Sequence, residues 1–191
     1  MRLDELTETM GDQIEIEWKS FLLRPEAKTE DYDSFVEYTK TWLRPDEAEP
    51  SIDYTVWASG EPQPNSSIPA QVAQKAVVEM APEFAYAYHH RLMKAYFTEN
   101  QNISDNETLL KLAAEVGIDR DALEAHAAEN QQALTQMVID EHNHAIQTSV
   151  TSIPAVVFQG SFVVPGAQPV AMYEKVVERI AAKIAELNAE A

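Results

Sequence analysis

The stretch that decides the fold is Ser152–Gln168, which reads SIPAVVFQGSFVVPGAQ. Two short apolar runs, Ala155–Phe158 and Phe162–Val164, flank a Gln-Gly-Ser turn, and this pattern predicts a tight β-hairpin. Pro154 stands just before the first run, at a position where its missing N–H does not interrupt a ladder. An apolar helix is predicted from Pro169 onward. Apolar residues recur there at three- and four-residue spacing, as an amphipathic helix requires.

Upstream of the hairpin, helical patterns run almost unbroken from the end of the segment 44–69 to about residue 148. Ser104-Asp105-Asn106-Glu107 has the form of a capping box, Gly117 is a natural helix end, and Asp119 can cap the helix that follows. The segment 44–69 carries five of the ten prolines and is predicted to be irregular. The centre of the chain is therefore a helical region.

The first part of the chain contains a strand pattern. Residues 14–21 read IEIEWKSF, in which Ile14, Ile16 and Trp18 alternate with charged residues. A period of two predicts a strand with one buried and one polar face. A helix is predicted before it, over residues 2–9, with its end near Gly11.

Composition excludes several classes of function. The 191 residues carry a net charge of −18, which opposes binding to nucleic acid and to anionic membranes. No apolar run is long enough to span a bilayer, and the acidic N-terminal residues do not resemble a secretory signal, so we expect a cytoplasmic protein. The absence of cysteine excludes disulfides, thiolate nucleophiles and cysteine–zinc sites within these residues.

The sequence predicts no metal site and no cofactor. His142 and His144 are two residues apart on a predicted helix, so their side chains point in different directions and do not chelate together. Asp140 and His144 are correctly spaced, but two ligands are too few for a metal site. Glycine-rich phosphate loops and known hydrolase motifs are absent from the sequence. No catalytic residue is assigned.

Four stretches resemble the DsbA-like branch of the thioredoxin superfamily, specifically the cytoplasmic FrnE-type proteins. They are IEIEWKSFLLRPE, AYFTENQNISDNETLLKLAAEVGID, SIPAVVFQG and SFVVPGAQP, which begin at Ile14, Ala95, Ser152 and Ser161. The 2-hydroxychromene-2-carboxylate isomerases and kappa-class glutathione transferases share this fold. The resemblance implies an α/β thioredoxin-like fold with an inserted helical subdomain. Residues 1–43 and 149–191 are then the thioredoxin-like halves, and 44–148 the inserted loop and helical subdomain.

The sequence departs from the family at one place. Family members begin with a strand and a Cys-x-x-Cys motif, and the strand that resembles 14–21 comes second. We therefore expect the first strand to be missing here, together with the motif. That strand normally lies between the second strand and the hairpin, so its loss would expose two unpaired edges. Upstream residues, a partner chain or repacking could fill the gap, and we favour upstream residues.

The resemblance implies one binding site. Pro154 corresponds to the family's cis-proline and Ile153 to the residue before it. In the family, the backbone of that preceding residue holds an extended peptide, a protein thiol substrate or glutathione. Two functions follow. The first is a thiol–disulfide oxidoreductase of the DsbA-like family, inactive in redox chemistry without its motif. The second is a non-enzymatic binding module, or a glutathione-dependent isomerase or transferase relative. The sequence indicates no oligomeric state.

Overall fold

A computed structural model describes residues 2–27, 31–43 and 53–189. Within them, α-helices span the following ranges: α1 Arg2–Met10, α2 Tyr32–Thr39, α3 Ile68–Met80, α4 Ala85–Phe97, α5 Asn106–Glu115, α6 Arg120–Glu129, α7 Gln131–Gln147 and α8 Val170–Ala189. Short 3-10 turns cover Gly11–Gln13, Lys40–Trp42 and Pro82–Phe84. The strands are β1 Ala155–Phe158 and β2 Phe162–Pro165, which form an antiparallel pair. No helix of the described residues is long and apolar enough to cross a membrane.

The chain divides into two compact units, one of Met1–Lys19 with His144–Ala191 and one of Ser20–Asn143. The first unit contains α1, the hairpin and α8. Its core forms where Leu6 and Met10 of α1 meet Val164 of β2 and Tyr173 of α8. The predicted N-terminal helix, the hairpin and the closing helix are all present in it.

The second unit is helical, and its described residues form two cores. The larger one joins α3 to α7 around the fully buried side chains of Val77, Tyr88 and Leu112. The smaller one is aromatic, with Phe35 and Trp57 packed edge to face at 5.4 Å between ring centroids. Helical patterns predicted most of this unit. The domain limits 1–43, 44–148 and 149–191 remain a prediction.

Helix ends follow the local signals in the sequence. Asp105 caps α5 by accepting a hydrogen bond from the Thr108 N–H at 2.8 Å, and Asp119 caps α6 in the same way. Gly117 lies between these helices with φ +96°, a backbone conformation that favours glycine. Gly117 and Asp119 turn the chain between α5 and α6 as predicted, whereas the cap of α5 is Asp105 and not Ser104, the first residue of the predicted capping box.

The strand predicted over 14–21 is not a ladder strand. Ile14 has extended backbone angles, and exposure alternates along residues 14–20, with Ile14, Ile16 and Trp18 more buried than their charged neighbours. However, no strand among the described residues pairs with this segment. The alternation reports which face is covered, whereas a ladder also requires a neighbouring strand at about 4.8 Å.

Candidate functional site

The hairpin is built as its sequence predicts. Its register joins Ala155 to Pro165 and Phe158 to Phe162. Gln159 and Gly160 form the turn with φ values of +48° and +68°, the left-handed conformations that tight hairpin turns need. This turn fixes which face of each strand meets the core, because a slip of one residue would invert every side chain.

Ile153 and Pro154 lie immediately before β1 and are exposed, and the peptide bond between them is cis. The Pro154 carbonyl accepts a hydrogen bond from the Gly166 N–H at 2.8 Å, which extends the hairpin ladder by one step. The Ile153 side chain is 44% exposed. Within the described residues, its N–H and carbonyl have no hydrogen-bond partner. Ile153 therefore combines an exposed side chain with backbone groups that have no partner among the described residues.

Side-chain hydrogen bonds stabilise the turn after β2. The Ala167 carbonyl accepts a hydrogen bond from Arg2 Nη1 at 2.7 Å. The Gln168 side chain donates to the Pro165 carbonyl at 2.8 Å and so stabilises the turn. The contact between Arg2 and Ala167 joins positions 165 residues apart. No local sequence pattern signals it.

One edge of β1 is open. In an antiparallel pair, alternate residues direct their N–H and C=O groups toward the partner strand and away from it. The Pro154 carbonyl accepts a hydrogen bond from Gly166, so Ala155 and Val157 are the residues whose N–H and C=O groups point away from β2. No other strand among the described residues pairs with this edge. The edge offers a place for one further strand.

The hairpin and its flanking sequence contain no charged residue. Residues 145–173 contain no Asp, Glu, Lys or Arg, in a chain of which 24% is charged. Exposed edge strands commonly carry charged residues that discourage pairing with another chain, and none protects β1. The arrangement can bind an extended apolar segment through its backbone, but it contains no thiol that could react with one.

The described residues contain no group of three or more His, Cys, Asp or Glu side chains that could hold a metal ion. The His142 imidazole accepts a hydrogen bond from the Leu22 N–H, and His126 lies beside Glu79 at 3.1 Å. Both side chains therefore have partners within the protein.

A family model for the DSBA-like thioredoxin domain matches residues 1–178. The chain belongs to the DSBA-like thioredoxin family. The resemblance to DsbA-like proteins and the thioredoxin-like fold are thereby confirmed, while the FrnE-type assignment stays a prediction. The chain is also 28% identical over 176 residues to YwbO of Bacillus subtilis (strain 168), covering 87% of this chain and 82% of that protein.

Solved structures with this DSBA-like fold include three informative neighbours. One from Nitrosomonas europaea superposes with a TM-score of 0.80 at 11% identity, over 95% of this chain and 89% of that chain. The cytosolic disulfide reductase DsbM from Pseudomonas aeruginosa, solved with GSH, superposes with a TM-score of 0.73 at 14% identity, over 96% of this chain and 90% of that chain. A 2-hydroxychromene-2-carboxylate isomerase superposes with a TM-score of 0.64 at 20% identity, over 97% of this chain and 90% of that chain. At these identities the neighbours establish the fold alone.

Proposed function

We propose that these residues form the substrate-binding part of a DsbA-like thiol–disulfide oxidoreductase, with Ile153 and Pro154 as the binding residues. The observation that carries the proposal is the exposed Ile153, whose N–H and carbonyl have no partner within the described residues. It lies beside an uncharged hairpin in a DSBA-like domain. An extended peptide that pairs with these backbone groups would lie along the hairpin.

The 191 residues alone do not exchange thiols in this proposal. Exchange begins with the attack of a thiolate on a disulfide sulfur, and the sequence contains no cysteine. The open edge of β1 supports a further strand that pairs with Ala155 and Val157 and carries the redox motif. The substrate is an extended peptide, a protein thiol or glutathione, and the neighbouring DsbM structure with GSH is in keeping with this class. We also propose a cytoplasmic location, as for that cytosolic reductase.

Binding at Ile153 is tested with an extended ligand that lacks free thiols, the reduced and alkylated insulin B chain, by isothermal titration calorimetry. Burial of an isoleucine side chain contributes about 1.5–3 kcal/mol, and 44% of this one is available for a ligand to cover. Ile153→Ala should therefore weaken binding about three- to tenfold. Ile184→Ala is the matched control, since Ile184 on α8 is 45% exposed. Equal affinities for the two variants would refute the assignment of the site.

The absence of thiol–disulfide exchange is tested separately. The chain should not accelerate the reduction of insulin by dithiothreitol. The reading frame upstream of the Met1 codon should encode a strand followed by Cys-x-x-Cys. An immediate in-frame stop codon would contradict that part of the proposal, and a serine in place of the first cysteine would favour a glutathione-dependent isomerase or transferase.

The second candidate is a non-enzymatic binding module, which the absence of cysteine favours. The two candidates differ in whether these residues suffice for a stable fold. A module should unfold cooperatively as a stable monomer, because its open edge would be tolerated. An oxidoreductase without its first strand should aggregate or unfold without cooperativity, because unpaired buried backbone groups cost about 1–3 kcal/mol each. Thermal unfolding with light scattering distinguishes these outcomes.

A further inference from the structure

The two ends of the helical unit are joined by side chains of α7. This unit begins at Ser20 and ends at Asn143. Near its end, Glu141 Oε2 accepts a hydrogen bond from the Ser20 N–H at 2.7 Å, and His142 Nδ1 accepts one from the Leu22 N–H at 3.2 Å. Two neighbouring side chains of α7 thus accept the backbone N–H groups of Ser20 and Leu22.

We call Ser20, Leu22, Glu141 and His142 the clasp. Its first bond is reinforced by Lys75 of α3, whose ammonium lies 2.8 Å from Glu141 Oε1 and 2.7 Å from Oε2. The Lys75 and Glu141 side chains are only 7% and 14% exposed. Burial acts to raise the pKa of Glu141, but the hydrogen bonds from Lys75 and Ser20 outweigh it and lower the pKa from its ordinary value. These contacts therefore favour the ionised carboxylate.

The second bond depends on the protonation of His142. Nδ1 can accept the Leu22 N–H only in the neutral imidazole, with the proton on Nε2. The Phe21 ring contacts the imidazole edge to face, with centroids 5.0 Å apart, and holds its orientation. A proton on Nδ1 would place two N–H donors against each other. The bond would then be lost.

Two charged residues take part in the described contacts of the clasp. On α7, Glu141 precedes His142, while Val138 and Ile146, one turn away on either side, are uncharged. From α3 comes Lys75, which pairs with Glu141. Ser20, Phe21 and Leu22, which α7 contacts, carry no charge.

We propose that the clasp is a pH-sensitive contact between the two ends of the helical unit. Protonation of His142 releases Leu22, whereas Glu141 retains Ser20. Acidification therefore loosens one of the two bonds and leaves the helical core in place. This inference does not rest on the proposed function, and its test needs no substrate.

The test is amide hydrogen exchange of the full 191-residue chain by NMR, at about pH 8 and about pH 5, on either side of the range in which histidine generally titrates. After correction for intrinsic exchange, the protection of the Leu22 amide should fall about two- to tenfold at the lower pH, the factor that one net hydrogen bond contributes. The Ser20 amide should keep its protection, which makes it an internal control.

Two variants complete the test. His142→Gln keeps an acceptor that does not titrate, so the pH dependence at Leu22 should disappear. His144→Gln, at an exposed position of the same helix, should leave it unchanged. Protection of Leu22 that does not vary with pH in the wild-type chain would overturn the proposal. So would an equal loss at Ser20 and Leu22, or a pH dependence that persists in His142→Gln.

Discussion

Replacement of Lys75 by methionine should strongly destabilise the helical unit. Lys75 faces Glu141 with both carboxylate oxygens within 2.8 Å, and both side chains are largely buried. The Lys75→Met variant keeps the packing of the aliphatic chain but removes the cation. Removal of one partner from a buried ion pair typically costs about 3–5 kcal/mol, because the other charge is left without compensation.

The assay is equilibrium unfolding in urea, followed by circular dichroism at neutral pH. With a slope of about 2 kcal/mol per molar urea, a loss of about 3–5 kcal/mol lowers the midpoint by about 1.5–2.5 M. Lys111→Met is the matched control, since Lys111 is exposed on α5, and it should change stability by less than about 0.5 kcal/mol.

The pH dependence of this destabilisation has a defined sign. In the wild-type chain the pKa of Glu141 is lowered from its ordinary value. The stability that Glu141 contributes is therefore complete above its pKa in the unfolded chain and is lost as pH falls through its pKa in the folded chain. In Lys75→Met, burial without the cation raises that pKa, so the carboxyl becomes neutral more readily. The cost of the substitution should therefore shrink toward pH 4. A midpoint for Lys75→Met equal to that of Lys111→Met would refute the reasoning.

Two further predictions concern the cap of α6 and two glycines with positive φ. Asp119→Ala removes the cap of α6 and should cost about 1 kcal/mol in thermal unfolding, whereas Asp119→Asn keeps an acceptor and should cost only a few tenths; equal losses would contradict the role of the cap. Gly117→Ala should lower the free energy of unfolding by about 2 kcal/mol and Gly160→Ala by about 1 kcal/mol, because both glycines have positive φ. The larger loss is expected at Gly117, since only there would the new Cβ contact a neighbour, the Phe84 ring at 3.3 Å. Equal losses of stability at the two glycines would show that the contact with Phe84 does not contribute to the loss.

Much of the fold could be predicted because its signals are local. Asp119 and Gly117 mark helix ends through their own backbone and side-chain chemistry. The hairpin Ser152–Gln168 combines strand alternation with a turn that needs positive φ. Its neighbours in sequence are also its neighbours in space, so the pattern alone predicts both the pairing and the register.

The segment 14–21 shows where such patterns fail. Its alternation correctly predicts which side chains are covered, but the pairing of a strand depends on a neighbour elsewhere in the chain. The clasp could not be predicted for the same reason. Glu141 and Ser20 are 121 residues apart, and a Glu-His pair on a helix is typical of a solvated surface. Only the fold brings them to the extended segment.

The central claim is that this DSBA-like domain binds an extended chain at Ile153 and Pro154 without reacting with it. The most direct measurement is a 15N NMR titration of the 191-residue chain with the reduced and alkylated insulin B chain. The account predicts that amide shifts concentrate at residues 152–153 and 166–168, on the two sides of the hairpin entrance. Saturating peptide that leaves these amides unchanged, or that shifts only residues of the helical unit 20–143, would contradict it.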